Sequence, residues 1–225
     1  MQDLRKKAFV GLLRLLLTLA ALLFLPPWAV HYWQAWIFLS VFSASVLAIT
    51  TYLMKKDPNL LQRRVNAGPA AEKQSRQKTI QFLASIAFVA VIIFPAIDHR
   101  FAWSRPSPYV AFAGDVLVAL GLLIIFFVFK ENTFTSGIIE VAPQQTVIFT
   151  GPYSLVRHPM YFGALVMLSG TPLALGSWWG LLTTIPITLV IVWRLLDEEA
   201  FLAKNLPGYS EYRNKVRYRL LPFVW

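Results

Sequence analysis

The chain of 225 residues contains no cysteine. Disulfide staples, thiolate nucleophiles and Cys-ligated metal centres are therefore excluded. Charge is scarce as well. Asp, Glu, Lys and Arg make up 14% of the residues, against about 25% in a soluble domain. That is too little to cover a water-facing globule, so a soluble enzyme and a disordered chain are both excluded. Acid is scarcer than base: eleven Asp and Glu oppose twenty-one Lys and Arg, a formal net charge of +10. No Gly-x-Gly pair occurs, so no Rossmann nucleotide domain is expected.

What is abundant is apolar: 57% of the residues are hydrophobic. Several runs approach or exceed the roughly 20 residues needed to cross a bilayer. They cover Ala8 to Val30, Trp33 to Met54, Ile80 to Ile97, Tyr109 to Phe129, Pro159 to Gly176, and Trp178 to Leu196. The first follows Arg5, Lys6 and Lys7 as a signal peptide would. No small-x-small cleavage site follows it, and it ends at Pro26-Pro27-Trp28, so it reads as an uncleaved span. Arg14 inside it reads as a snorkelling side chain.

Charge placement orients these spans. With the N-terminus inside, seventeen basic residues fall on the inner side, seven of them in the linker Lys55 to Lys78. Only Arg100 and Arg105 fall in the outer connections. The positive-inside rule then puts both termini in the cytoplasm. The surplus is a membrane rim that favours anionic lipid, and no nucleic-acid motif is present. Trp28, Trp33, Trp36, Trp103, Trp178 and Trp179 form an outer aromatic belt. His31 and His99 fall outside and His158 inside, which disfavours a His-pair haem site, and no metal is expected. Asp115 is the one acid expected within a span, near the outer rim, with Arg100 or Arg105 as candidate partners. The expected fold is all-α and integral to the membrane. It is a helical bundle of about six transmembrane helices with a cytoplasmic C-terminal amphipathic helix.

Three cytoplasmic constellations could carry chemistry. The first is Gly151-Pro152-Tyr153-Ser154-Leu155-Val156-Arg157-His158-Pro159-Met160-Tyr161-Phe162-Gly163. Pro159 suits the first position of a helix, making His158 its N-cap. The amides of Met160, Tyr161 and Phe162, the helix dipole and Arg157 then form an anion site. A basic anchor for lipid headgroups fits the same spacing. The second is Arg194-Leu195-Leu196-Asp197-Glu198-Glu199. Three acids at a helix C-terminus oppose both dipole and lipid charge. Arg194 can reach Asp197 or Glu198 at i+3 and i+4. The cluster reads either as internal ion pairing with the basic tail or as a carboxylate that binds a cationic or hydroxyl-rich cofactor. The third is Leu206-Pro207-Gly208-Tyr209-Ser210-Glu211-Tyr212-Arg213-Asn214-Lys215-Val216-Arg217-Tyr218-Arg219-Leu220-Leu221-Pro222. It holds a Pro-Gly turn and a basic aromatic helix.

In order, an aromatic-x-x-Arg-His-Pro-x-Tyr-x-Gly box, a span ending in Glu-Glu, and Gly-Tyr-x-x-Tyr-x-x-x-Val then Pro resemble the isoprenylcysteine carboxyl methyltransferase family and its phospholipid-methyltransferase relatives. The resemblance runs from about Asn132 to Trp225. Pro172 to Trp179 and Val216 to Leu220 resemble bacterial members, which implies the bacterial inner membrane. The family implies an S-adenosylmethionine-dependent methyltransferase, with residues 1–130 as four transmembrane helices and residues 131–225 as the catalytic region. Its cofactor cavity is cytoplasmic and its acceptor enters from the bilayer. Carried over by position, Tyr153, His158, Pro159, Met160 and Tyr161 contact the cofactor, beside Arg157 from the anion site. Gln145, Thr146, Val147 and Ile148 cover it, and Glu199 matches a cofactor-contacting acid. Leu195 occupies the aligned position of the family's catalytic-side Arg; the adjacent Arg194 is the candidate for that role, with Glu199. The implied acceptor is a lipophilic small molecule or lipid bearing a carboxylate. A phospholipid or amine N-methyltransferase and a non-catalytic lipid- or haem-binding membrane protein remain as alternatives.

Overall fold

The computed structural model describes residues 2–225. It holds eight α-helices: α1 (Gln2–Phe24), α2 (Trp33–Lys56), α3 (Pro58–Val65), α4 (Ser75–Phe101), α5 (Pro108–Glu131), α6 (Pro159–Ala174), α7 (Thr184–Asn205) and α8 (Tyr209–Lys215). Among the described residues the only β-type pairing is an isolated bridge, Ala67 to Gly137. Five helical segments are long and apolar enough to cross a membrane: α1, α2, α4, α5 and Trp179–Asn205, which contains α7. The chain is an all-helical integral membrane protein.

The expected span from Pro159 to Gly176 is a shorter helix. α6 has 16 residues, or about 24 Å of length, less than the roughly 30 Å hydrocarbon core. It runs antiparallel against α5, and glycines set the closeness. A Cβ on Gly121 would fall 2.5 Å from the Gly163 carbonyl, and one on Gly170 would fall 2.8 Å from the Gly114 carbonyl. Gly114 itself faces the Ala174 backbone. Glycines seven residues apart on both helices let the backbones touch, which is how membrane helices gain dispersion contact without a hydrophobic drive.

A core of Leu19, Leu23, Phe38, Ile92, Val118 and Leu122 ties α1, α2, α4 and α5 together. At the end that holds both chain termini, α3 lies across the bundle. Asp57 caps it by accepting from the Leu60 amide, and Pro58 sits in its first turn. Leu60 and Leu61 pack on Ala8, Leu53, Met54 and Phe129. At the other end all six belt tryptophans are exposed. There Asp98, fully buried, accepts from Ser104 and Ser177 and joins α4 to the turn before α7. Asp115 pairs with neither expected arginine: both its carboxylate oxygens are buried without a protein partner, and Arg100 donates instead to the Pro26 carbonyl.

Candidate active site

At the terminus-bearing end, the segment after α5, the start of α6, the end of α7 and the first turn of α8 enclose a cavity of about 220 Å³. Gln145, Thr146, Val147, Ile148, Tyr153, Arg157, His158, Pro159, Met160, Tyr161 and Arg194 all line it. Glu199 does not, and its neighbour Glu198 does.

The helix geometry explains this exchange. Successive residues of an α-helix rotate by about 100°, so the three acids of α7 face three different partners. Asp197 accepts from Gln77 and lies 3.2 Å from Arg76 Nε. Glu198 faces the cavity and accepts from the Tyr161 hydroxyl at 2.5 Å. Glu199 points behind the wall and is 3% exposed. It accepts from Arg219 Nε at 3.0 Å, lies 2.7 Å from Arg157 Nε and 3.3 Å from His158 Nε2. The Arg157 contact is one of charge, since its Nε has no aligned hydrogen-bond acceptor. Glu199 is thus the hub that holds Arg157, His158 and the tail together. Burial lowers the Arg157 pKa, an effect the Glu199 charge opposes.

His158 stands at the N-cap of α6 with Pro159 following. Its side chain makes no cap bond. Phe162 differs from expectation: its amide donates to the His158 carbonyl at 3.1 Å, the first bond of the helix. Only the Met160 and Tyr161 amides precede that ladder and point past it. The tail lies along this corner, where Arg157 and His158 donate their amides to the Tyr218 and Arg219 carbonyls, each at 2.9 Å.

Arg194 does not pair with Asp197 or Glu198. Its guanidinium donates to Glu72 at 2.8 Å, to Gln77 at 2.9 Å and to the Tyr161 hydroxyl at 3.2 Å. The Tyr161 hydroxyl stands between Arg194 and Glu198, bonded to both. Glu72 in turn accepts from Gln81 and the Ile139 amide. The loop between α3 and α4 and the first turns of α4 therefore brace the site, a role not assigned to residues 1–130 from sequence.

Arg64, Asn132, Tyr209 and Tyr212, not singled out from sequence as site residues, also line the wall. α8 packs inward: Tyr209, Tyr212 and Val216 bury with Leu206 against Val141 and Val147. The Tyr212 hydroxyl donates to the Tyr153 carbonyl, and Asn132 donates to the Tyr153 hydroxyl. The Tyr209 hydroxyl is buried with no partner. Burial pushes the Tyr153, Tyr209 and Tyr212 phenols well above their usual pKa, so they remain neutral donors. Among the described residues, no group of three or more His, Asp or Glu is placed to hold a metal ion.

Comparison with known proteins follows the same residues. The family model for phospholipid methyltransferases matches residues 109–207, beginning in α5, upstream of the sequence boxes. Two rice proteins (Oryza sativa subsp. indica and subsp. japonica), each described as a probable protein-S-isoprenylcysteine O-methyltransferase, are 31% identical over 156 residues. That alignment covers 63% of this chain and 79% of each relative. A mouse delta(14)-sterol reductase is 28% identical over 152 residues, 58% of this chain and 35% of the reductase. With 79% of each rice protein's length aligned at 31% identity, this chain belongs to the isoprenylcysteine carboxyl methyltransferase family of membrane methyltransferases.

Proposed function

We propose that the cavity binds S-adenosylmethionine and that the chain methylates a lipophilic acceptor, with a carboxylate as the accepting group. The observation that carries this is the Tyr209 hydroxyl, buried in the cavity wall without a protein partner. An unpaired buried hydroxyl costs roughly 1–3 kcal/mol, which a bound polar ligand offsets. The remaining donors suit a zwitterionic cofactor. Arg157, His158 and the two free amides of α6 suit its carboxylate. Glu198 suits its ammonium or ribose hydroxyls, and the Tyr153, Tyr161 and Tyr212 rings suit adenine or a sulfonium. Val147, packed with Leu202 against Leu206, Tyr209 and Tyr212, and its neighbours Gln145, Thr146 and Ile148 suit the covering of that cofactor.

The bound cofactor supplies an electrophilic methyl on a sulfonium. A carboxylate acceptor would need no base, so the chain's own work would be alignment and exclusion of water. Arg194 acts at one remove: it fixes the Tyr161 hydroxyl, which fixes Glu198. The match to the phospholipid-methyltransferase model favours a second reading, an amine acceptor. An amine must shed a proton, and Glu198 is the cavity carboxylate placed to take it. We place the cavity and both termini in the cytoplasm on the strength of the basic-residue asymmetry, and the bacterial inner membrane on the resemblance of Pro172 to Trp179 and Val216 to Leu220 to bacterial members. Residues 131–225 are the methyl-transferring region, braced by residues 1–130.

Titration calorimetry of the detergent-purified chain with S-adenosylmethionine tests the reading. Saturable binding is expected, weakened by Tyr209→Phe and by Glu198→Gln. A folded wild-type chain that takes up no cofactor refutes it.

A further inference from the structure

Charge pairing around the cavity leaves one cation, Arg64, and one carboxylate, Glu198, without an ion-pair partner among the described residues. Arg194 is paired with Glu72, Arg157 with Glu199, and Glu140 with Lys73. Arg64 also lines the cavity, yet among the described residues it forms no ion pair. It donates to the Ser136 carbonyl at 2.6 Å, and its guanidinium carbon lies 5.2 Å from the centre of the Phe129 ring. The rest of its fork has no protein acceptor.

Its position on α3 is unusual. Arg64 lies three and four residues after Leu61 and Leu60, hence on the face that those leucines bury. An apolar residue is expected there. Arg64 is half-buried, which lowers its pKa, and a guanidinium with part of its fork unpaired beside a cavity favours an anion. α3 rests on Ala8, Leu53, Met54 and Phe129, the cytoplasmic ends of α1, α2 and α5. Arg64 therefore reaches the cavity from the side of α1, α2 and α5, whereas Arg157 and His158 reach it from the start of α6.

Resting on the proposed methyl transfer, we infer that Arg64 binds the carboxylate of the lipophilic acceptor and selects an anionic head over an amine or a neutral one. A guanidinium fork matches a carboxylate in two parallel bonds. In the transfer, a carboxylate oxygen forms a bond to the methyl carbon. The carbon–sulfur bond breaks with its electron pair left on sulfur. The acceptor's negative charge and the sulfonium's positive charge cancel, and no proton moves. The ester is neutral, so it loses its hold on Arg64 as it forms, and product release follows from the same residue that recruits the substrate.

The test uses the full chain in detergent: wild type, Arg64→Gln and Arg64→Lys. Each is titrated with S-adenosylhomocysteine, then, saturated with it, with three farnesyl thioethers that differ in the head. These are N-acetyl-S-farnesylcysteine, its carboxamide, and S-farnesylcysteamine. Wild type should bind the acid about 10- to 100-fold more tightly than the other two, the range of one charge-assisted hydrogen bond. Arg64→Gln should erase that preference with a smaller change in S-adenosylhomocysteine affinity, and Arg64→Lys should retain part of it. An acid preference that survives in Arg64→Gln assigns the acceptor's anion to another residue and overturns the inference. So does a loss of S-adenosylhomocysteine affinity alone, which would make Arg64 a cofactor ligand, or a wild-type preference for the amine or for no head. Should wild type bind S-adenosylhomocysteine and none of the three thioethers, the inference falls while the cofactor reading stands. Failure to bind S-adenosylhomocysteine removes the proposed function itself. Should Arg64→Gln not fold, Arg64→Lys decides: an undiminished preference would show that the fork is not used.

Discussion

Glu199→Gln separates a carboxylate that holds the cofactor from one that holds the site. Glu199 has three basic neighbours, and two of them are enclosed: Arg157 and His158 each have side chains 6% exposed. Gln keeps the shape and one oxygen for Arg219 but removes the charge. Stranding a buried ion-pair partner costs about 3–5 kcal/mol. The lower end applies here, because Arg219 is 30% exposed and recovers water. For a chain of this size about 3 kcal/mol corresponds to a Tm lower by roughly 6–12 °C. Arg157 and His158 also line the cavity, so their misplacement should weaken S-adenosylmethionine binding by about tenfold, one charge-assisted hydrogen bond. Glu198→Gln is the contrast. It faces the cavity and forms no ion pair among the described residues, so it should lose similar affinity with little change in Tm. The assay is paired differential scanning and titration calorimetry on both variants. Loss of affinity at unchanged Tm in Glu199→Gln would mean that Glu199 touches the cofactor directly and would refute the bracing role. A destabilised Glu198→Gln with intact affinity would refute the cavity role of Glu198.

Four further outcomes follow from the geometry. Gly170→Ala should lower the Tm in detergent, because its Cβ would meet Leu117 Cβ at 2.6 Å, whereas Gly11→Ala, with nothing within 4 Å, should not. Tyr209→Phe should leave the Tm unchanged or slightly raised, since it removes an unpaired buried hydroxyl, while cofactor affinity falls in calorimetry. Asp115→Asn should raise the Tm, because the carboxylate is buried without a partner and its charge is costly there. Cysteines placed at Ala70 and Arg105, in a chain with none of its own, should label from opposite membrane faces; labelling from one face would refute the topology.

The spans were legible because about 20 apolar residues in a row have few other uses. The corner around His158 was legible because its signals are local: a Gly-Pro turn, an N-cap position and Pro at the first helical residue. What escaped was the support from the first half of the chain. α3 carries a readable start, Asp57 followed by Pro58, and an inward face of Leu60, Leu61 and Arg64. A net hydrophilic eight-residue helix inside a basic linker gives no hydropathy signal. The pairing of Arg194 with Glu72 spans 122 positions, and no spacing rule reaches that far. Spacing also misled at Arg194. Its i+3 and i+4 acids were within reach, but a tyrosine hydroxyl from α6 occupies the place between them. The Asp115 pairing failed for a related reason, since Arg100 found a closer acceptor in the Pro26 carbonyl.

The end of α7 works as a junction because three consecutive acids on a helix cannot share a neighbour. Asp197 ties the site to α4 through Gln77 and Arg76, Glu198 enters the cavity, and Glu199 ties the site to α6 and the tail. The three acids do not end the helix, as their place after an apolar run suggested: α7 runs on to Asn205, and each charge is met by a basic, amide or hydroxyl group from a different part of the chain. The cost of one acid is met locally, but the correct orientation of all three requires that α4, α6 and the tail be docked at once. Tail docking therefore sets Arg157 and His158, and α4 docking sets Arg194 and Tyr161, on either side of Glu198. A cavity assembled in this way is complete only when the whole cytoplasmic end is folded. Perturbing the tail at Arg219 should then be felt at Arg157, although Arg219 itself does not line the cavity.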